Sequence, residues 1–321
     1  MNNRRLHAYT LLFIVSMIWG VAGPVIKFTL RDYPPTIFLT YRFAISSVVA
    51  LITFLYIKPK IPKNPKRLLQ ILFYGFLTST VSLGLLFIGF DNTSSLMATL
   101  ISGVSPIMVA AAGVLLLHEH VTGREKVGIT IASLGTVATV AAPLVFANVA
   151  GATTTAFVGN LFVFASLIVG VATAVLAKII LRDDSISPIE LTHISFIIGF
   201  LTMVPFLLMR YPTNEIWSVI IHAPLSAHLG VWYMALCSGT LAYTLYHIAE
   251  KPIEIGESAL FSYLLPVWGV PLSVFWLNER FTLTFVVGAI IMTTGVVIAE
   301  YKKARPHRKG LKKPPGRRRK R

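Results

Sequence analysis

Long apolar runs follow one another along the chain and are separated by short polar segments. A run of about 18 to 20 apolar residues is long enough to cross a bilayer as an α-helix. The pattern therefore predicts an all-α integral membrane protein with ten transmembrane helices. The first run is too long for a signal peptide and lacks a small-residue cleavage site, so we expect it to remain as a span. The predicted spans are residues 9–29, 35–57, 68–90, 95–117, 127–146, 155–181, 188–209, 224–249, 255–277 and 282–300.

Basic residues are distributed unevenly across this predicted topology. With the N-terminus inside, the inner loops and tails hold most of the 29 Lys and Arg residues. The outer loops hold only Arg31, Arg210 and Arg280. Because cytoplasmic loops of membrane proteins carry an excess of basic residues, we expect both termini in the cytoplasm and the chain in the plasma membrane.

The stretch 106–135 occurs a second time at 266–295, without a gap. The copies fall on the fourth to fifth and on the ninth to tenth predicted spans, so they are inverted relative to each other. Residues 1–150 and 151–300 are therefore predicted to form two inverted five-helix repeats, an architecture typical of secondary transporters with a central substrate cavity. The matched pairs are Pro106 with Pro266, Glu119 with Glu279, Thr122 with Thr282, Gly128 with Gly288 and Gly135 with Gly295. Tyr74 and Ser79 likewise match Tyr233 and Ser238.

Composition agrees with a membrane protein. Hydrophobic residues make up 55% of the chain, charged residues 13%, and the mean hydropathy is +0.72. These polar groups are too few to cover a soluble domain of this size. The single cysteine, Cys237, excludes a disulfide framework and a thiolate metal site.

The net charge of +16 belongs mainly to residues 301–321, which hold twelve basic residues and no acidic one. This composition predicts a disordered cytoplasmic tail. We expect the tail to be attracted to anionic lipid headgroups, and we do not expect nucleic-acid binding.

Short motifs in both halves of the chain carry a family resemblance. They are Trp19-Gly20, Pro34-Pro35, Tyr41-Arg42-Phe43, GTLAYTLYHIA at 239–249, SYLLPV at 262–267 and LNERFT at 277–282. Together with the repeated Pro-Glu spacing, they resemble the EamA-type transporters of the drug/metabolite transporter superfamily over about residues 9–300. The resemblance implies a ten-helix basket around a central cavity, with spans five and ten peripheral. It leaves the substrate open, since such transporters export amino acids, other metabolites and drugs.

Two basic residues, Lys27 and Arg42, are predicted to lie inside the hydrocarbon, where an ionisable group costs about 2.5–3.5 kcal/mol on insertion scales; Lys178, at the inner end of its span, is counted with the inner segments. One interpretation is a positively charged outer vestibule in which Arg42 receives a carboxylate or phosphate. The alternative is that Lys27 extends to the interface, while Arg42 pairs with Asp32 or with loop carbonyls.

Acidic residues are predicted only in loops or within a turn or two of helix ends. This placement disfavours antiport driven by a carboxylate within the membrane. His193 and His247, near the cytoplasmic ends of spans seven and eight, are the candidates for proton coupling. Structural hydrogen bonding, with facilitative exchange of the solute, is the alternative.

Aromatic residues are the candidates for lining a substrate cavity. Trp19 lies near the middle of the first predicted span, and Tyr243 and Tyr246 share a helix face at i, i+3 spacing. With Tyr263 and Trp268 they suit a flat or amphipathic solute, and plain helix packing is the alternative.

Four residues are predicted to bend or break helices. Gly20 and Pro24 would let the first span bend at a hinge. Pro106 and Pro266 are placed near the middle of their helices, where each frees a backbone carbonyl.

Glu119 and Glu279 are predicted to end spans four and nine. A carboxylate at a helix C-terminus opposes the helix dipole, so each needs a specific partner. Arg124 or a loop is expected for Glu119, and Arg280 or backbone amides for Glu279. We interpret both residues as structural clasps, with a gate latch as the alternative.

The sequence thus predicts an alternating-access exporter of small metabolites, with amino acids or related amphipathic solutes as substrates. A sugar-phosphate or nucleotide-sugar exchanger is the alternative, although it would need more cavity cations than the chain offers. An intramembrane lipid-modifying enzyme is less favoured, because no cluster of Asp or His appears and HEH at 118–120 lacks the i, i+4 pair of a zinc helix. We expect no catalytic residue, metal or cofactor, and the oligomeric state stays open.

Overall fold

The computed structural model describes residues 3–59, 62, 64–117, 123–145, 154–182, 186–253, 258 and 260–300, and within these ranges every regular element is helical. The α-helices of the described residues are α1 (Asn3–Thr29), α2 (Pro35–Ile57), α3 (Pro65–Gly75), α4 (Leu83–Asn92), α5 (Ser95–Ser102), α6 (Ser105–Leu117), α7 (Gly123–Val145), α8 (Thr154–Leu181), α9 (Pro188–Arg210), α10 (Thr213–His222), α11 (Leu225–Trp232), α12 (Ala242–Glu250), α13 (Leu265–Phe275) and α14 (Leu283–Glu300).

Five helical stretches of the described residues are long and apolar enough to cross a membrane. They are α1, α2, the continuous stretch 65–92, α8 and α9. The pair formed by α10 and the stretch 225–250 passes the same test together, but is bent by 103° at the break between its two parts. Shorter apolar helices cover Ser95–Val109, Phe261–Phe275 and Phe285–Gly295. The ten-span topology and the orientation of the termini stay predictions.

Helix α10 was not predicted, because the polar positions around it suggest a loop. Pro212 directly precedes its first residue and Pro224 lies two positions after its last, and proline both starts and stops helices. Its apolar residues face two ways, with Ile216 buried and Trp217 exposed. The eighth apolar run therefore begins after a separate short helix.

The placement of Pro106 and Pro266 corrects the prediction that they lie near the middle of helices. Helix α6 begins at Ser105 and α13 begins at Leu265, so each proline occupies the first turn of a helix. Proline is favoured there because the first-turn N–H groups have no acceptor within the helix. Each proline does follow an interruption of the α-helix. Residues 103–104 form a turn before α6, and a 3-10 turn, Leu260–Leu264, comes directly before α13.

Helix α1 runs without interruption through Gly20 and Pro24. A Cβ atom at Gly20 would lie 2.6 Å from the Cβ of Trp268. A Cβ atom at Gly269 would lie 2.8 Å from the carbonyl oxygen of Gly20. These two glycines therefore let α1 and α13 approach closely, and a hinge at Gly20 and Pro24 stays a prediction.

Two segments of π-helix interrupt the bundle at matching positions. Phe76–Ser82 joins α3 to α4, and Tyr233–Leu241 joins α11 to α12. Ser79 and Ser238, which the sequence matches to each other, lie inside these two segments. A π-helical turn shifts the backbone hydrogen bonds, and such turns are frequent at functional sites.

Helices α7 and α14 pack along each other more extensively than any other pair in the described chain. The repeated glycines lie in this contact. A Cβ atom at Gly135 would lie 2.8 Å from Cγ2 of Ile291, and one at Gly295 would lie 2.4 Å from the backbone N of Ala132. Small residues at such contacts allow helix backbones to approach in a membrane.

We expect Gly295→Ala to lower the stability of the folded protein by about 1–3 kcal/mol, because the new methyl group overlaps backbone atoms of α7 that cannot move aside alone. Gly84→Ala is the matched control, since a Cβ atom there meets nothing within 4 Å. Alanine is favoured over glycine in a helix by about 0.5–1 kcal/mol, so the control should be neutral or stabilising. Thermal unfolding of both variants in detergent measures the difference, and an unchanged Tm for Gly295→Ala would contradict the packing described.

Candidate functional site

Two cavities lie inside the helix bundle, and each has a volume of about 220 Å³. Trp19, Tyr243 and Leu265 line both, so the cavities adjoin. We call the cavity lined by Arg42 the arginine cavity and the one lined by His247 the histidine cavity. Sites for drug-sized ligands measure about 300–1,000 Å³, so each cavity matches a smaller metabolite.

Three of the aromatic residues assigned to a cavity from the sequence meet at the boundary between the two. The ring centroid of Trp19 lies 5.1 Å from that of Tyr243 and 5.1 Å from that of Tyr246. Nε1 of Trp19 donates a hydrogen bond to the carbonyl oxygen of Ser238, at 3.0 Å, in the second π segment. The indole is therefore held at one end by its hydrogen bond and flanked by two tyrosine rings.

The other two predicted cavity aromatics lie elsewhere. Tyr263 packs with Ile107 of α6 and Ala132 of α7. Trp268 lies against Phe13, with ring centroids 6.0 Å apart. Both residues belong to helix contacts in the structure, and their role in lining a cavity stays a prediction.

Arg42 is the charged side chain at the wall of the arginine cavity, and only 1% of it is exposed. Its guanidinium carbon lies 5.8 Å from the ring centroid of Phe43, 5.7 Å from that of Phe87 and 5.8 Å from that of Phe196. These rings come from α2, α4 and α9. Each aromatic face attracts the cation, so the three rings offset part of the cost of burying the charge.

No counter-charge accompanies this arginine in the part of the chain that the structure describes. There, Nε and Nη1 of Arg42 have no hydrogen-bond partner, and no carboxylate pairs with the guanidinium. Pairing with Asp32 or loop carbonyls, the alternative weighed from the sequence, is therefore not observed. A buried guanidinium with free donors is an arrangement that an anionic group of a ligand completes.

Lys27 has a structural partner. Its Nζ donates hydrogen bonds to the carbonyl oxygens of Phe90 and Asp91, at 2.8 and 3.1 Å. These carbonyls lie in the last turn of α4, where a cation is favoured by the helix dipole. Lys27 thus joins α1 to the end of α4 and is not aimed at either cavity.

His193 and His247 have different surroundings, although both are buried. The ring of His193 lies 5.7 Å from that of Phe54. His247 lines the histidine cavity, where its Nε2 lies 2.9 Å from the hydroxyl oxygen of Tyr74 and its Nδ1 lies 3.5 Å from Oε2 of Glu250. The structure thus brings one of the two candidates to a cavity.

The carboxylate of Glu250 was missed from the sequence, because its place at the end of an apolar run suggested an exposed helix end. In the structure Glu250 is 1% exposed. The carbonyl oxygens of Glu250 and Ile253 both accept hydrogen bonds from Nζ of Lys178, so the chain after α12 is held against α8. The i, i+3 spacing of His247 and Glu250 was the available signal, since residues so spaced meet on a helix surface.

Glu279 accepts hydrogen bonds from the backbone N–H groups of Ser95 and Leu96, both at 2.8 Å. These are the first two residues of α5, whose N–H groups have no acceptor within the helix. A carboxylate there also complements the positive end of the helix dipole. Glu119, the matching residue of the first repeat, lies outside the described residues.

Nothing in the described part of the chain brings three or more His, Cys, Asp or Glu side chains together as metal ligands. The cavities are lined by hydroxyl, aromatic and aliphatic groups, with Arg42 and His247 as the residues that can carry a positive charge. This chemistry suits binding of a small solute with an anionic group and an apolar part.

Comparison with known proteins relates nearly the whole chain to transporters. A family model described as "EamA-like transporter family" matches residues 6–141 and 157–301. The chain is 25% identical over 311 residues to "Uncharacterized transporter YetK" of Bacillus subtilis (strain 168), which covers 94% of this chain and 89% of the relative. It is 24% identical over 294 residues to "Probable amino-acid metabolite efflux pump" of Escherichia coli (strain K12), which covers 90% of this chain and 93% of the relative.

A solved crystal structure shares the fold. It superposes with a TM-score of 0.59 at 15% sequence identity and covers 93% of this chain and 96% of the other. At this identity the likeness concerns the fold alone.

We expect Glu279→Gln to lower the stability by about 1.5–3 kcal/mol, because hydrogen bonds to a charged acceptor are lost at the start of α5. Arg280→Gln is the matched control, since the neighbouring side chain is exposed and should change stability by less than about 0.5 kcal/mol. Thermal unfolding measures both variants. A Glu279→Gln protein with normal Tm and an altered transport rate would favour the gate latch over the clasp.

Proposed function

Since the chain belongs to the EamA-like transporter family, a family of multi-pass membrane transporters, we propose that it exports amino acids or related small amphipathic solutes by alternating access. The observation that carries this proposal is Arg42, a buried guanidinium with unpaired donors at the wall of a small cavity. A relative named as a probable amino-acid metabolite efflux pump supports the same class of solute.

In the proposed binding mode, Arg42 receives the carboxylate of the solute in the arginine cavity. An arginine can hold a carboxylate through two parallel N–H···O bonds. The apolar part of the solute lies against Trp19 and Tyr243, which line the same cavity. The volume of about 220 Å³ favours a metabolite over a larger drug.

We further propose that the chain crosses the membrane ten times, in two inverted repeats. In this proposal it lies in the plasma membrane, with both termini in the cytoplasm. Three observations support it. The π segments lie at matched positions of the two halves, the matched glycines Gly135 and Gly295 face each other's helices, and the family model matches the chain in two parts. The basic tail 301–321, which lies outside the described residues, is proposed to contact anionic lipid headgroups.

Counterflow in proteoliposomes tests the function directly. The purified protein is reconstituted, and exchange of labelled amino acids, nucleosides and sugar phosphates is measured at equal pH on both sides. We expect exchange of amino acids, whereas exchange of sugar phosphates alone would favour the second transporter class. Exchange of none of these solutes would contradict the proposal.

We expect Arg42→Gln to slow the exchange of amino acids by about ten- to hundredfold, because the loss of a charge-assisted hydrogen-bond pair weakens binding by that factor. Arg31→Gln is the matched control, since Arg31 also lies over an aromatic ring, that of Phe28 at 5.6 Å, but is exposed. It should leave exchange unchanged.

The wild-type protein provides an independent test that does not depend on how a variant folds. An amino-acid amide keeps the side chain and amine of its parent and lacks the carboxylate. We expect the wild type to exchange the acid and not the amide. Equal exchange of both would contradict the role of Arg42.

A further inference from the structure

Tyr74, His247 and Glu250 form a buried polar group at the end of the histidine cavity. The Tyr74 hydroxyl oxygen lies 2.9 Å from Nε2 of His247, and Nδ1 of the same ring lies 3.5 Å from Oε2 of Glu250. The exposed fractions are 2% for each of Tyr74 and His247 and 1% for Glu250. The imidazole thus bridges a hydroxyl on α3 and a carboxylate on α12.

Two side chains that can donate a hydrogen bond border the buried carboxylate of Glu250. They are the imidazole of His247, with Nδ1 3.5 Å from Oε2, and the hydroxyl of Tyr246. An isolated buried carboxylate is costly, and such a group is normally paired or neutralised by a proton. The imidazole of His247 is therefore placed where it can share a proton with this carboxylate.

The charged and titratable neighbours of the pair come from several helices. From α8, the Lys178 ammonium contacts the backbone carbonyl of Glu250 and adds a nearby positive charge. From α12 itself, the hydroxyl of Tyr246 borders the carboxylate. The Tyr243 ring lies 6.3 Å from the His247 ring.

The remaining helices packed against α12 contribute other groups. From α1, Tyr9 packs in the same cluster as Tyr246. Helix α9 contributes two groups. His193 lies against the ring of Phe54, and the carboxylate of Glu190 accepts a hydrogen bond from the backbone N–H of Ser187 at the start of the same helix. The acidic residues of the segment 254–257 lie outside the described residues.

The pair is connected to the proposed solute site through shared aromatic walls. Tyr74, Tyr246 and His247 line the histidine cavity. Tyr243 lines both cavities, so one ring borders the guanidinium side and the imidazole side. A zwitterion with its carboxylate at Arg42 would thus direct its ammonium group toward His247 in the adjoining cavity, behind which Glu250 lies.

We propose that the Tyr74, His247 and Glu250 group binds the proton that this transporter exchanges for a zwitterionic amino acid. The inference rests on the proposed function and names the proton gradient as the driving force of the export. The protonated pair is neutral overall, and its loss of one proton leaves one negative charge that the ammonium group of the solute balances. Proton and solute therefore compete for the pair, and each outward movement of solute is matched by one inward movement of a proton.

Proteoliposomes made with the full chain test this proposal, with an equimolar mixture of labelled amino acids as the probe. The interior is made more acidic than the exterior, so that outward proton flow drives uptake. Because exchange of one proton for a zwitterion moves one net charge, the membrane potential is held at zero with potassium and valinomycin. A gradient of about one pH unit then corresponds to about tenfold accumulation. The accumulation is compared with the exchange rate of the same preparation at equal pH.

We expect about tenfold accumulation by the wild type and no accumulation by His247→Gln or Glu250→Gln. The accumulation of each protein is divided by the exchange rate that the same protein shows at equal pH. His193→Gln is the matched control, a buried histidine without a carboxylate partner among the described residues, and it should accumulate the probe as the wild type does. Tyr74→Phe keeps the ring and removes only the hydroxyl, so it should weaken accumulation without affecting folding.

Three outcomes would overturn the inference. If Glu250→Gln and His247→Gln both still accumulate the labelled amino acids, the pair is excluded as the proton site. If the wild type exchanges amino acids at equal pH but does not respond to the pH gradient, proton coupling is excluded and the proposed function stays intact. Exchange of no solute at all would overturn the proposed function, and this inference with it.

Discussion

A guanidinium buried without a counter-charge among the described residues is the constraint on which the centre of this molecule depends. Arg42 is surrounded by the rings of Phe43, Phe87 and Phe196, which three different helices supply. The cation can be tolerated only while those helices keep the rings in place, since an unpaired charge at this depth is costly. The same helices must also leave the unpaired donors available to a ligand.

The contacts around Arg42 keep its helices in register. Ser46 and Ser47, one turn further along α2, donate hydrogen bonds to the carbonyl oxygens of Ala235 and Phe196, at 3.2 and 3.3 Å. Lys27 joins α1 to the last turn of α4. Hydrogen bonds between membrane helices add modest stability, and here they also hold the walls of the arginine cavity.

The second π segment connects these contacts to the rest of the site. It supplies the Ser238 carbonyl that orients Trp19, and its Gly239 lies beside the arginine, where an added Cβ atom would be 3.4 Å from Nη2. The first π segment supplies Thr78 and Ser82 to the histidine cavity. Departure from α-helical geometry at two matched places thus supplies polar backbone and hydroxyl groups to otherwise apolar walls.

Much of the helical framework could be predicted from the sequence, because apolar length and proline or glycine boundaries are local signals. Residues 35–57 were predicted as a helix, and α2 has those bounds because Pro35 starts it and Lys58 ends it in a left-handed conformation. Trp19, Tyr243 and Tyr246 were selected as candidates from the mid-span position of the first and the shared helix face of the other two, and the three rings do meet. The π segments could not be predicted, since their residues continue the same apolar pattern. The i, i+3 spacing of His247 and Glu250 could have indicated their contact, but the burial of Glu250 also depends on how the following chain packs against α8, which is not a local property of the sequence.

The central claim, that Arg42 is the anion-binding group of a solute cavity, is tested most directly by an experimental structure in lipid nanodiscs with the most strongly exchanged solute bound. We expect a carboxylate oxygen of the solute within about 3 Å of the guanidinium nitrogens, with its apolar part against Trp19. A solute bound away from Arg42, with the guanidinium still enclosed only by its three rings, would contradict the account.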